Sequence, residues 1–230
     1  MAQPSTRATK RPRKQGRPRR SGAQVGRDII VKRTRDLLTG SGPGIGPERL
    51  SLREIARSLG VDPGLIRYYF GDKTGLFITV VQEVLAENRA RHQAFLRSDL
   101  SVADKIRERV KVYLDIIGDN PYLHRLIVDL ILYGDTPATA RFRQEMVARA
   151  YSELKQLIDQ SGAEVGGKPV DARFLHVALL GMTEYFIVGG PLVDEMFARE
   201  KKPADLRARY AAFLGNMLVA GLGLKDGRAK

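Results

Sequence analysis

The sequence predicts an all-α protein in two parts, a small N-terminal three-helix unit followed by a helical bundle. Three observations predict it. From Arg27 onward the apolar residues recur at helical spacing, and no run alternates as a half-buried strand would. The interruptions between these stretches are built from Gly, Pro, Asn and Asp, which stop and start helices. The chain has 230 residues, 43% of them hydrophobic, enough for a sizeable core. The expected divisions are a disordered basic arm at 1–26, the three-helix unit at 27–73 and the bundle at 74–230.

The elements follow in order. The first helix spans about 27–39, with Ile30, Thr34, Leu37 and Leu38 inward, and the Gly- and Pro-rich stretch 40–47 is a loop by composition. Ser51-Leu-Arg-Glu54 has the pattern of a capping box, in which hydroxyl and carboxylate satisfy amides at a helix start. Leu52, Ile55, Ala56 and Leu59 then mark one face, and Gly60 ends the helix. Asp62-Pro63 starts the next, with Asp as N-cap and Pro at the first helical position. That helix ends near Phe70, and Asp72 caps a fourth with Leu76, Phe77, Val80, Val81, Val84 and Leu85 inward. Further helices are expected over 102–118, 122–133, 137–160, 170–188 and 203–222, with breaks at Asn120-Pro121, 134–137, 162–169 and Gly189-Gly190-Pro191.

Charge is distributed unevenly. The net charge is +13, and residues 1–22 hold eight basic side chains and no acid. Residues 23–73 carry +3 and the remaining 157 only +2. A polyanion would therefore meet the N-terminal end. There is no cysteine, which excludes disulfides, thiolate metal sites and cysteine nucleophiles. No apolar run reaches the length of a membrane span, and the basic N-terminus lacks the apolar segment of a secretory signal. A cytoplasmic protein that does not engage membranes is expected.

Residues 52–70 read as two short helices joined by a tight turn. Small Ala56 lets them approach, and Gly60 permits positive φ in the turn. Ile55, Leu59, Val61, Ile66 and Phe70 close a small core. In such a unit the second helix enters the DNA major groove. With Ile66 and Phe70 inward, its outward face is Gly64, Leu65, Arg67, Tyr68 and Tyr69. Gly64 permits close backbone approach, Arg67 suits guanine or phosphate, and the tyrosine hydroxyls suit phosphate. Lys73 stands where the next helix begins and its free amides face an anion. In the arm, Gly16-Arg17-Pro18, flanked by Lys14 and Arg19-Arg20, resembles the core of an AT-hook, whose extended arginines suit a narrow minor groove; the alternative is nonspecific attraction to phosphates.

The segment from Leu50 to Lys73, followed by Leu76-Phe77, resembles the DNA-binding signature of TetR regulators, most specifically in Tyr69-Phe70-x-x-Lys73-x-x-Leu76. The resemblance implies DNA contacts at Ser51, Gly64, Leu65, Arg67, Tyr69 and Lys73, and a C-terminal domain for ligand binding and dimerisation. Two features depart from the pattern. Arg67 stands where the family usually has Tyr, and the loop before the second helix is longer and richer in Gly and Pro. The expected function is sequence-specific transcriptional regulation, as a repressor released from a palindromic operator by a small-molecule effector. The alternative is a nonspecific architectural DNA-binding protein without effector.

The bundle supplies candidates for the other two roles. Tyr113, His124, Tyr133, Phe142, Met146, His176 and Tyr185 are polar or aromatic residues within apolar stretches and are expected to line a pocket for an apolar or aromatic effector. Residues 174–188 are apolar on nearly every face, so one side needs a cover beyond the bundle core. Phe174, Ala178, Gly181 and Tyr185, with Tyr210, Phe213, Leu214 and Met217 of the last helix, are expected to form a four-helix homodimer interface. Residues 162–168 fit the phosphate-loop pattern, but Pro169 replaces the required hydroxyl residue and a helix precedes it. The three histidines lack metal-ligand spacing. No metal, cofactor or enzymatic activity is expected.

Overall fold

A computed structural model describes residues 25–40, 47–165, 167–199 and 205–225. The basic arm, with Arg17 and Arg19, and loop residues 41–46 lie outside the described residues. The fold is all-α. Helix α1 (Arg27–Gly40), after which a 3-10 turn covers Pro47–Arg49, is followed by α2 (Leu52–Leu59), α3 (Pro63–Phe70) and the long α4 (Lys73–Leu96). The bundle continues with α5 (Val102–Asp119), α6 (Leu123–Ile127), α7 (Pro137–Ser161), α8 (Ala172–Val188), α9 (Gly190–Phe197) and α10 (Leu206–Gly221).

Two buried clusters organise the chain. The first joins α1, α2, α3 and the N-terminal half of α4 through Ile30, Val31, Ile55, Ala56, Ile66, Phe77 and Val80, and it also takes in Tyr122, Leu123 and Leu126 from the α6 region. The second joins α5, the C-terminal half of α7, α8 and α10 through Ile106, Val110, Leu114, Leu154, Leu179 and Leu214. α4 runs between them. It packs on α1, α3, α5, α6 and α7, and its Glu83 and Glu87 pair with Arg27 and Arg35 of α1.

The structure adds three features to the predicted helices. Residues 122–133, expected as one helix, form α6 followed by a π-helical turn over Val128–Leu132. At the close of that turn stands Gly134, where a Cβ would lie 2.2 Å from the Leu130 carbonyl. The break at 162–169 contains a minimal antiparallel hairpin, β1 (Glu164–Val165) with β2 (Lys168–Pro169), in which Val165 pairs with Lys168. The expected break at Gly189-Gly190-Pro191 is a bend of 72° into the additional helix α9, with Pro191 in its first turn where the missing N–H costs nothing. Among the described residues no single helix is long and apolar enough to cross a membrane, and no group of three or more His, Asp or Glu is placed to hold a metal ion.

Candidate nucleic-acid interface and ligand groove

The helix-turn-helix is fixed by local chemistry. Glu54 N donates to the Ser51 hydroxyl at 3.2 Å, and Ser51 N donates to the Glu54 carboxylate at 2.7 Å, which completes the capping box. Hydrogen bonding of the Glu54 carboxylate, first to the Ser51 hydroxyl and second to the Ser51 N–H, holds that carboxyl below its usual range. Gly60 closes α2 at φ +67, a conformation that favours glycine. Ile55, Ala56, Leu59 and Ile66 are buried in the turn's core, while Val61 and Phe70 are half-buried. Arg33 reaches from α1 to donate to the Leu59 carbonyl at 2.9 Å, and the Arg27 guanidinium lies 5.5 Å from the Phe70 ring centre. These arginines brace the motif, a role that helical periodicity does not reveal.

On α3, Gly64, Arg67 and Tyr68 are exposed, Tyr68 by 80%. Leu65 and Tyr69, also expected on this face, are half-buried and pack against the first cluster. The Tyr68 and Tyr69 rings meet edge to face at 5.0 Å. Gly64 N donates to Asp62 Oδ1 at 2.6 Å, and a Cβ at Gly64 would lie 2.8 Å from that oxygen. A side chain here would ask only the tip of the exposed Asp62 carboxylate to shift. Lys73 opens α4, half-buried, with its ammonium 5.8 Å from the Phe77 ring centre. Two residues on is a glycine that sequence reasoning missed. A Cβ at Gly75 would lie 2.0 Å from the Phe70 carbonyl oxygen, so only glycine lets α4 start this close beneath α3. Its N–H donates to the N-cap Asp72 at 2.8 Å.

A second feature lies in the bundle. A groove of about 320 Å³ opens between α4, α5 and α7, near the lower end for small-molecule sites. Of the expected ligand residues, Tyr113, Phe142 and Met146 line it. The other four do not. Tyr133 is 79% exposed, because the π turn ends there and leaves its ring in solvent. His124 on α6 pairs through Nδ1 with Glu184 on α8. His176 faces Tyr113 edge-on, with ring centres 6.4 Å apart. Tyr185 lines a different, apolar hollow between α8, α9 and α10.

That hollow borders a broad apolar surface. On α8, Leu175, Leu179 and Thr183 turn into the protomer's own core, while Phe174, Val177, Ala178, Gly181 and Tyr185 are exposed, Phe174 by 77%. On α10, Phe213 and Met217 are exposed beside them. Tyr210 is half-buried, stacked on Phe186 at 4.1 Å, and its hydroxyl donates to the Met182 carbonyl at 2.9 Å. Leu214 does not belong to this surface. It is fully buried within the protomer, on the side of α10 that packs along α5. Leu214 and Phe213 are sequence neighbours, about 100° apart around the helix, so only one of them can face outward here.

Comparison with known proteins places these features in a family. The family model described as bacterial regulatory proteins, tetR family, matches residues 45–80, which contain the helix-turn-helix and the start of α4. A second, the tetracyclin repressor-like C-terminal domain, matches residues 99–228, more than half of the chain. The chain is 27% identical over 162 residues to the HTH-type transcriptional regulator RutR of Escherichia coli (strain K12), covering 64% of this chain and 72% of that protein. Among solved structures it shares its fold with the transcriptional regulator FadR of Bacillus subtilis in complex with stearoyl-CoA. There the TM-score is 0.63 and the identity 18%, over 84% of this chain and 98% of that one. It also resembles AibR in complex with isovaleryl coenzyme A and operator DNA, at a TM-score of 0.59 and 15% identity over 83% of this chain and 96% of that one. An exposed recognition helix on a closed three-helix core, followed by an α-helical bundle that the C-terminal model spans, makes this chain a member of the TetR family of DNA-binding transcriptional regulators.

Proposed function

We propose that this regulator is a repressor that binds a palindromic operator as a homodimer in the cytoplasm and is released by a small apolar or aromatic effector. The observation that carries the DNA reading is the α3 face. Gly64, Arg67 and Tyr68 stand exposed on a helix whose opposite side is locked into the first core, with Ser51 and Lys73 at the flanking helix starts. Arg67 reads base edges in the major groove, Tyr68, Tyr69, Ser51 and Lys73 hold phosphates, and Gly64 and Leu65 sit close to the DNA surface. Arg17 and Arg19 of the arm add phosphate or minor-groove contacts.

The exposed apolar surface of α8 and α10 is the proposed two-fold interface. A short recognition helix reads few bases, and a dimer places two copies about 34–36 Å apart, one turn of DNA. The groove between α4, α5 and α7 receives the effector. Support comes from its apolar wall and from the acyl-CoA complexes of FadR and AibR, which bear ligands with apolar acyl parts on the same fold.

Operator selection from random DNA tests this reading. A short palindrome is expected to emerge, and Arg67→Ala is expected to lose about 1–3 kcal/mol on it and to relax base preference at one position per half-site. Enrichment of no defined sequence would leave only architectural binding.

A further inference from the structure

The groove between α4, α5 and α7 is not uniform along its length. Near the first core its wall is Leu85, Ile116, Phe142 and Met146, all of which pack against that core. One to two turns farther along α7, at Ala150 and Glu153, the wall becomes polar. Tyr113, on α5 one turn before Ile116, stands where the two stretches meet. Behind it Arg109 is 1% exposed and held by three groups. Its Nη2 donates to the Tyr113 hydroxyl at 2.9 Å and to the Ala150 carbonyl at 3.3 Å, and its Nη1 stands 4.0 Å from the Glu153 carboxylate. The cation is thus engaged inside the wall, and it acts on the groove through the tyrosine.

A tyrosine hydroxyl has one hydrogen to give and lone pairs with which to accept. Here the guanidinium occupies the accepting side, and that is the hydroxyl's only hydrogen bond among the described residues. Its own hydrogen turns away from the cation and has no acceptor there. Accepting from a cation also polarises the O–H and strengthens it as a donor. A ligand that covers this half-buried hydroxyl removes its water, so a ligand without an acceptor leaves the hydrogen unpaired at a cost. A carboxylate supplies an acceptor but brings its charge beside Glu153, with the Arg109 charge already matched. A neutral carbonyl oxygen answers the donor and adds no charge. We propose that the groove takes a neutral apolar molecule carrying a carbonyl group, such as a ketone or lactone. The carbonyl oxygen sits on the Tyr113 O–H, and the apolar body lies among Leu85, Ile116, Phe142 and Met146. This rests on the groove being the effector site. It adds the chemical class of the effector and its direction in the groove: the carbonyl anchors on α5, and the apolar end presses on residues that border the helix-turn-helix core.

The test uses the full-length protein and three probes of similar size, acetophenone, ethylbenzene and benzoate, followed by isothermal titration calorimetry. Acetophenone is expected to bind at least about tenfold more tightly than benzoate, whose charge must leave water. Tyr113→Phe is expected to weaken acetophenone at least about fivefold and to leave ethylbenzene within about twofold. Met146→Trp, at the apolar end, is expected to weaken both, and unchanged binding there would place the probes outside this groove and overturn the proposal. Should Tyr113→Phe fail to fold, a crystal structure of the unaltered protein with 4′-bromoacetophenone decides. The carbonyl oxygen is expected about 2.7–2.8 Å from the Tyr113 hydroxyl oxygen, with the bromine toward Phe142 and Met146. Equal losses of ketone and hydrocarbon in Tyr113→Phe, tighter binding of benzoate than of acetophenone, a carbonyl turned away from Tyr113, or no binding of acetophenone overturns the inference. Release of the selected operator is read separately. Acetophenone that binds on Tyr113 but leaves the DNA complex intact upholds the carbonyl site and sinks the effector reading. Ethylbenzene that releases the DNA from wild type and Tyr113→Phe alike, while acetophenone gains nothing from the hydroxyl, does the reverse.

Discussion

The His176 imidazole reaches from α8 toward α5, and its Nδ1 is buried without a hydrogen-bond partner among the described residues. Burial first, and the nearby Arg109 charge second, hold its pKa below the ordinary histidine value. The unfolded chain therefore binds a proton near pH 6.5 while the folded one still resists it. Stability contributed by neutral His176 is complete above that pH, falls as the pH drops below it, and stops falling once the folded pKa is passed. Urea midpoints at pH 7.5 and 5.5 check this. The drop is expected to be larger for the wild type than for His176→Gln, and equal drops would show that His176 titrates alike in both states. Nothing in the sequence marked this residue as different from His124, which instead meets Glu184 across the α6–α8 contact. Both histidines sit on helices with apolar neighbours, and only three-dimensional packing decides which finds a carboxylate and which a guanidinium. Arg109 escaped notice for the same reason. An arginine on an amphipathic helix reads as a solvated position, and its burial comes from α7 closing over it.

Among the elements, those written in short-range chemistry were the most legible. The capping box, the αL glycine and the Asp-Pro start each act within four residues, so the bounds of α2 and α3 follow from neighbours alone. The π turn after α6, the bend into α9 and the hairpin were not read. Pro191 in the first turn of α9 and the Gly166-Gly167 pair between Val165 and Lys168 were the available signals. Both were read as breaks because Gly and Pro serve turns and helix starts alike. The α3–α4 junction offers a prediction at this scale. Alanine normally gains about 1 kcal/mol over glycine inside a helix. At Gly75 the new Cβ would meet the Phe70 carbonyl oxygen, so Gly75→Ala is expected to lose about 1–3 kcal/mol despite that gain. Operator affinity is expected to fall with it, since relieving the overlap tilts α3 away from α4. Denaturation and operator titration measure the two effects, and a stabilised variant with unchanged affinity would refute the constraint.

For the whole molecule, the helical class and the position of the recognition helix were readable from periodicity and punctuation, and the separation into two clusters only in outline. Which side of α10 faces outward was not readable, because Phe213, Leu214, Met217 and Leu218 form a band too wide for one face. The structure divides it, leaving Phe213 and Met217 outside. Phe174→Glu combined with Phe213→Glu is therefore expected to keep the helical content and melting of a folded protomer while dissociating the proposed dimer. Analytical ultracentrifugation at micromolar concentration decides, and a double variant that sediments as the wild type does would place the interface elsewhere. Loss of the dimer is expected to weaken palindrome binding far more than half-site binding.

α4 has the geometry of a lever. Its 24 residues extend about 36 Å at 1.5 Å per residue, one end set beneath α3 by Gly75 and the middle forming a wall of the groove. From Leu85 and Arg89 back to Lys73 is about 18–24 Å of rigid rod. A tilt of about 5° at the groove moves the far end by about 2 Å, and in the proposed dimer two protomers tilting in opposite senses change the spacing of their recognition helices by about 4 Å, more than one base-pair step of about 3.4 Å. In the proposed switch a small effector therefore acts at a distance, by changing the pitch at which the two recognition helices are held.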